Sequence, residues 1–206
     1  MARGSGHAQG CDKRADKRLI QNGFIWTSPG TRLGFAHGVE TMGKTVRFKR
    51  LRLTTAATDL LAKAQSLAEI LEILRSSARP ILRSDGVTVV LRERDQVHYV
   101  GEDAIAPLWA GQRFPIASRI SGLAMMQRQT IVIPDVRNDP RVPLDAYRST
   151  FVASMAMAPI GIGEPVAAIG AYWRSTRPID DDALVLLDML AKGAGAQFER
   201  IVDQSL

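Results

Sequence analysis

SMAMAPIGIGEPVAAIGAYW, residues 154–173, decides the fold, because it reads either as a membrane span or as two strands. From Phe151 to Trp173 the only charge is Glu164. A spanning helix needs about 20 uninterrupted apolar residues. Pro159, Gly161, Gly163 and Pro165 interrupt this run at its middle, where each weakens or breaks a helix. What remains is two runs of hairpin length, Ser154 to Ile160 and Ala167 to Trp173, joined by the turn residues Gly161-Ile-Gly-Glu-Pro165. No membrane span is expected.

Further strand-like runs lie upstream at Val87 to Arg92, Gln96 to Gly101 and Thr130 to Ile133, and Arg92-Glu-Arg-Asp-Gln96 supplies a second hairpin connection. Ser118 to Gln127 fits a short helix carrying Met125 and Met126. Asp135 to Tyr147, DVRNDPRVPLDAY, reads as a long Pro-rich loop. Helical periods bracket these elements. Leu60, Ala64, Leu67, Leu71, Leu74, Ala78 and Ile81 alternate spacings of four and three, and Pro80 is expected to end that helix. At the other end Asp180 to Asp182 supply a cap and an acidic first turn, followed by Leu184, Leu187, Ala191, Ala194, Phe198 and Ile201. Antiparallel neighbours between terminal helices predict an α+β fold. The two seams can pack on each other or on the domain's own sheet. Ala191, Gly193, Ala194 and Gly195 would also admit a second subunit.

The 206 residues are 46% hydrophobic and 23% charged, so one domain of ordinary core size is expected without structural metal. A lone Cys11 excludes an internal disulfide, and histidines at 7, 37 and 98 make no zinc cluster. The net charge of +6 is unevenly placed. Residues 1–52 hold eleven Lys/Arg against three acids, +8, whereas residues 53–206 hold sixteen against eighteen, −2. The basic character therefore belongs to the first segment, and nucleic-acid binding is not expected of the domain. Residues 1–52 read as a basic, unstructured tail with Met42 as a candidate start, and residues 53–206 as the folded domain.

Gly38-Val-Glu-Thr-Met-Gly-Lys-Thr45 matches the phosphate-loop pattern, but no buried strand precedes it, and the downstream VRFKRLRL reads as extended basic arm. A nucleotide site there is a remote alternative. No nucleophile elbow surrounds Ser121 or Ser154, so serine or cysteine catalysis is not expected. His98, between Val97 and Tyr99, is a surface or pocket-wall histidine before it is a general base. Asp135 and Asp139 stand near Arg137 and Arg141, a pattern that either locks the loop or meets an anionic or polar ligand. Trp109, Phe114, Met125, Met126, Tyr147, Phe151, Met155 and Met157 serve as core or as the lining of a cavity.

Four stretches together resemble the GAF domain family: LAEILEILRSSARPILRSDGVTVVL, SRISGLAMMQRQTIVIPDVRNDPR, SMAMAPIGIGEPVAAIGAYW and the acid-capped closing helix. The resemblance runs from Thr55 to Ile201. It is most like the sensory modules of bacterial histidine kinases, in which HYVGEDAIAPLWAGQRFPI is also typical. It implies a central antiparallel sheet of five or six strands with terminal helices on one face. Short helices and loops on the other face would enclose a small-molecule pocket. His98, Arg119, Asp135 and Tyr147 would supply its polar groups, and Trp109, Phe114, Met155 and Met157 its walls. Bilin attachment and methionine sulfoxide reduction need cysteines that residues 53–206 lack, and the NKFDE signature of the cyclic-nucleotide members is absent.

The expected function is therefore that of a stand-alone sensory or regulatory module of two-component type. It would be cytoplasmic and bacterial, with no cofactor or metal and no catalysis of its own. It would act as a homodimer through the terminal helices and signal to a partner such as a histidine kinase. A purely structural dimerisation module and the truncated sensor half of a histidine kinase are the alternatives.

Overall fold

The computed structural model describes residues 35–161, 163–176 and 178–203, with side chains from residue 43 to residue 201 apart from Ile162 and Arg177. Residues 1–34, and Cys11 and His7 with them, lie outside the described residues. The chain divides into two units, Met1–Val39 and Glu40–Leu206, and all the strands lie in the second.

The expected unstructured tail is corrected over its last part, because Phe35–Leu61 is a helix, α1. Apart from Gly43, its lysines, arginines, leucines and alanines from residue 43 onward favour a helix. Their useful period is 3.6: Arg50, Thr54, Ala57 and Leu61 fall on one face and are buried. The alternation of Val46, Phe48 and Leu51 with cations thus marks no extended arm. The same helix overturns the phosphate-loop reading. Gly38 to Thr45 lies inside α1, where backbone N–H groups bond to carbonyls four residues earlier and are not free to cradle a phosphate.

The long helix expected from Leu60 to Ile81 is two helices. α1 closes through short-range bonds from Lys63 N to Leu60 O (3.0 Å) and Ala64 N to Leu61 O (3.1 Å). α2, Leu67–Leu82, starts at Ser66, whose hydroxyl accepts from Glu69 N at 3.3 Å while the Glu69 carboxylate accepts from Gln65 N at 2.8 Å. Pro80 does not end α2. The helix runs on to Leu82 and stops at Arg83 in the left-handed region (φ 52°).

Six strands follow in one antiparallel sheet: β1 (Gly86–Glu93), β2 (Gln96–Ala104), β3 (Arg113–Pro115), β4 (Ile131–Ile133), β5 (Ser154–Ile160) and β6 (Ala167–Trp173). Their spatial order is β3-β2-β1-β6-β5-β4. β3, which is three residues long, was not legible in the sequence. Between β3 and β4 lie a 3-10 turn, Ile116–Ser118, and α3, Ile120–Gln127; α4, Asp181–Asp203, closes the chain.

β5 and β6 sit well inside the sheet and are covered on both faces, which is why residues 154–173 are apolar throughout. Their small residues, Ala156, Ala158, Ala167 and Ala171, face a core shared with α1, α2 and α4. Met155, Met157 and Tyr172 face the opposite core, with α3 and the loops.

Both predicted seams are used inside the domain. Leu187, Ala191 and Ala194 of α4 and Leu74, Ala78 and Ile81 of α2 belong to one buried core. The glycines of α4 also serve contacts within the chain. A Cβ on Gly193 would meet Thr58 and Leu61 of α1 at 3.4 and 3.6 Å, and one on Gly195 would approach Gly161 N to 2.8 Å. Arg50, only 5% exposed, fastens the three helices: its Nε donates to Ile81 O at the end of α2 (2.7 Å), and Nη1 pairs with Asp180 at the head of α4. Leu60, the first residue of the predicted seam, is exposed instead, and Phe48, Leu51 and Leu53 of α1 and Val185 and Met189 of α4 are exposed as well. Leu51, Val185 and Met189 line a recess of about 140 Å³ between the helices. Among the described residues, no helix is long and apolar enough to cross a membrane.

Candidate functional site

The face of the sheet opposite the three long helices carries an aromatic cluster containing all three tyrosines of the chain. Trp109 is its hub. Its ring lies 5.4 Å from Tyr99, 5.0 Å from Tyr147 and 5.7 Å from Tyr172, each contact tilted or edge-on, as ring quadrupoles prefer. The loop that presents Trp109 is held by one carboxylate. Glu102 accepts from the backbone N–H groups of Leu108 (2.9 Å), Trp109 (2.9 Å) and Ala110 (3.0 Å).

Each tyrosine hydroxyl has a partner: Tyr172 pairs with Thr88 Oγ1 at 2.9 Å, Tyr99 with Ser121 Oγ at 3.4 Å, and Tyr147 donates to Met155 Sδ at 3.7 Å. Burial pushes all three phenols up from the usual tyrosine range. The nearby Arg119 charge opposes this for Tyr99 and Tyr147, and Thr88 opposes it for Tyr172. Gly170 makes room for the cluster, since a Cβ there would lie 2.6 Å from the Tyr172 hydroxyl and 2.7 Å from Met157 Cε.

Of the predicted site residues, Trp109, Tyr147, Met155 and Met157 come together in this buried cluster, and Phe114 and Arg119 join its edge. Phe114 of β3 stands edge-on to Tyr99 at 5.8 Å, and the Arg119 guanidinium lies 3.5 Å from the Phe114 ring centroid. The centre expected to be a ligand pocket is thus largely filled by the chain's own side chains. Open space lies at its margins. One cleft of about 360 Å³ is lined by Ala117, Ser118, Arg119, Leu123 and residues 140–143, and a recess of about 290 Å³ runs beside Tyr147 and Val152.

Two predicted residues are not in this site. His98 alternates with the buried Val97 and Tyr99, so its side chain takes the other face of β2, where Nδ1 meets Glu93 Oε1 at 2.8 Å. Glu93 also takes Arg113 Nε at 2.8 Å, and Arg113 first and then His98 hold its carboxyl below the usual range. Asp135 closes its own turn, accepting from Arg137 N (2.9 Å) and Asn138 Nδ2 (2.8 Å), which lower its pKa. Asp139 is likewise closed on Arg141, whose Nη2 it accepts at 2.6 Å and whose charge holds the carboxyl down. The locked-loop reading fits both acids.

Tyr99 and Tyr172 were missed in the sequence, although strand alternation placed Tyr99 opposite His98. Glu102 and Ser121 carried no signal, because their partners are backbone groups of a loop and a hydroxyl on another element. Gly122 matters for Arg119. A Cβ there would fall 1.8 Å from Ile116 O, so only glycine lets α3 close on the turn that carries Arg119 to the cleft.

Several solved structures share this fold. The free methionine-R-sulfoxide reductase of Neisseria meningitidis, in complex with its substrate, superposes with a TM-score of 0.64 at 17% identity, over 76% of this chain and 92% of that one. The GAF domain of a phosphoenolpyruvate-protein phosphotransferase from Coxiella burnetii gives 0.66 at 13% identity, over 77% and 98%. A methyl-accepting chemotaxis protein fragment gives 0.62 at 22% identity, over 72% and 98%. No curated protein sequence matches the chain. The family model described as the GAF domain matches residues 64–199, two-thirds of the sequence and every element from α2 to α4, and the chain therefore belongs to the GAF domain family.

Proposed function

We propose that the chain is a small-ligand regulatory module with no catalysis of its own, and that it takes its ligand in the cleft beside Arg119. The observation that carries this reading is the state of Arg119. Among the described residues its Nε is buried and has no hydrogen-bond partner, its guanidinium stacks on Phe114, and the residue lines a cleft of about 360 Å³. A buried charged donor without an acceptor is costly, and it marks a place where a ligand atom completes the contact. The fold supports the sensory reading, since the neighbours include a chemotaxis protein and a reductase holding its substrate. Against catalysis stands the position of the single cysteine, Cys11, outside the GAF match.

The module acts in the cytoplasm of a bacterium as one half of a two-component type relay, with a kinase-like partner reading its occupancy. Its second copy docks on the exposed Phe48, Leu51, Val185 and Met189 of α1 and α4, since the predicted seams are occupied within the domain.

The filled aromatic centre favours a second reading, an interaction module that takes no ligand. A thermal-shift screen of small metabolites on the full chain separates the two, with Ala117→Trp as the variant that fills the cleft from its exposed rim. A ligand that raises the parent's melting temperature and not the variant's supports the module. If no compound raises the parent's, the interaction reading stands in its place.

A further inference from the structure

We infer that the ligand is a small carboxylate monoanion, bound through Arg119 with its short apolar body lying along the cleft. This rests on the ligand-binding reading above and names the chemistry of that site.

The charges around the cleft support this assignment. Two arginines line it, Arg119 and Arg141. Arg141 is already neutralised, with Nε and Nη2 on Asp139 at 2.9 and 2.6 Å and a further bond from Nη2 to Val132 O at 3.1 Å. Arg119 has no such counter-ion. Among the described residues no carboxylate pairs with it, and its Nε makes no hydrogen bond. Its contact with the Phe114 ring uses the cationic π surface and leaves the N–H fork unbonded. That fork matches the two oxygens of a carboxylate.

The size of the missing charge follows from the same count. One unneutralised guanidinium balances one negative charge. A phosphate dianion would bring a surplus into a cleft whose other walls include Leu123, Pro140, Val142 and Pro143. Those apolar walls instead suit a few methylene or methyl groups. Occupancy has a route into the core as well. Arg119 lies on Phe114, Phe114 packs on Tyr99, and Tyr99 packs on Trp109, so a charge placed at the fork is felt by the aromatic cluster.

The test uses the full chain at constant ionic strength, titrated with acetate, butyrate, butyramide and inorganic phosphate. Binding is followed by melting temperature and tryptophan fluorescence. Butyrate should bind more tightly than acetate, at least tenfold more tightly than butyramide, and phosphate at equal concentration should produce no shift. Arg119→Met should weaken butyrate at least tenfold, with Arg119→Lys in between. Circular dichroism verifies that each variant is folded, and Arg119→Met should melt no lower than the parent in the absence of carboxylate, because it removes an unpaired buried donor.

Butyramide binding as well as butyrate, with Arg119→Met unchanged, would overturn the carboxylate assignment while leaving a ligand module. A phosphate response equal to that of butyrate would overturn it in favour of a general oxyanion site. Absence of any response in the parent would overturn the carboxylate assignment, and the metabolite screen then decides whether the ligand module stands.

Discussion

The Trp109 ring stands edge-on to Tyr147, with centroids 5.0 Å apart and planes at 74°, and this pair ties the loop after β2 to the loop after β4. Of the two loops only the one after β4 reaches the cleft, through residues 140–143, so the contact anchors that loop to the aromatic cluster. Trp109→Ala should cost about 3–5 kcal/mol, the usual range for deleting a buried tryptophan. Urea denaturation measures it; a loss below about 1 kcal/mol would mean that the cluster is not packed as described.

Asp180→Ala should be more damaging than Arg50→Met. The first leaves the buried Arg50 guanidinium without its counter-charge and removes the side-chain acceptor for Asp182 N at 3.2 Å. The second removes the charge and keeps the cap. About 2–4 kcal/mol is expected for Asp180→Ala, below the full cost of breaking a buried pair because Asp180 is itself half exposed. Arg50→Met should lose less than about 2 kcal/mol. Equal losses would show that a buried Arg50 without its counter-charge costs no more than the loss of Arg50 itself, so that the ion pair with Asp180 is not what secures the helices.

Charges in the two helical faces should have opposite consequences. Leu187→Glu with Ala194→Glu places carboxylates in the main core and should abolish folding, seen as loss of the cooperative melt. Val185→Glu with Met189→Glu should leave the fold intact and convert a dimer to a monomer by light scattering. A dimer mass unchanged in the second variant removes this strip as the interface.

Alkaline pH should destabilise the protein more than its composition indicates. Burial raises the folded pKa of Tyr99, Tyr147 and Tyr172 above the unfolded value, so their contribution is fully present below about pH 10 and is lost as pH rises beyond it. Absorbance at 295 nm should show no phenolate until the chain unfolds, and then all three together. At the acid end Asp139, held low by Arg141, contributes stability that is present above about pH 4 and lost as pH falls through its depressed folded pKa. Asp139→Asn should flatten that limb of the stability profile, and an unchanged limb would exclude the pair.

Gly122→Ala should cost about 3 kcal/mol, because its methyl would meet the Ile116 carbonyl and push α3 away from the turn before it. The same displacement moves Arg119, so the butyrate response should fall along with stability. A variant that keeps both would show that this approach is not what positions the arginine.

The α+β class, the two hairpins and the acid-capped closing helix were readable because local rules fix them: alternation, turn residues and a side chain at the helix start. The break before α2 was readable too, in Ser66-x-x-Glu69, but the apolar spacing runs unbroken across it from Leu60 to Leu67. α1 was hidden because its inward face is built from Arg50, Thr54 and Ala57, which do not look apolar; Arg50 is tolerated there only because Ile81 O and Asp180 meet it.

The sequence by itself determined the fold class, the hairpins, the closing helix and which residues were large enough to fill a core. Tertiary structure decided which of them remained available. Met155, Met157, Trp109 and Tyr147 went into the packing, His98 turned to the other face of its strand, and Asp135 closed its own turn. Among the described residues, Arg119 was left with the Phe114 ring and no carboxylate. Local preference acts over a few residues, whereas the supply of counter-charges around a guanidinium depends on residues brought together from β3, α3 and the loop at 140–143.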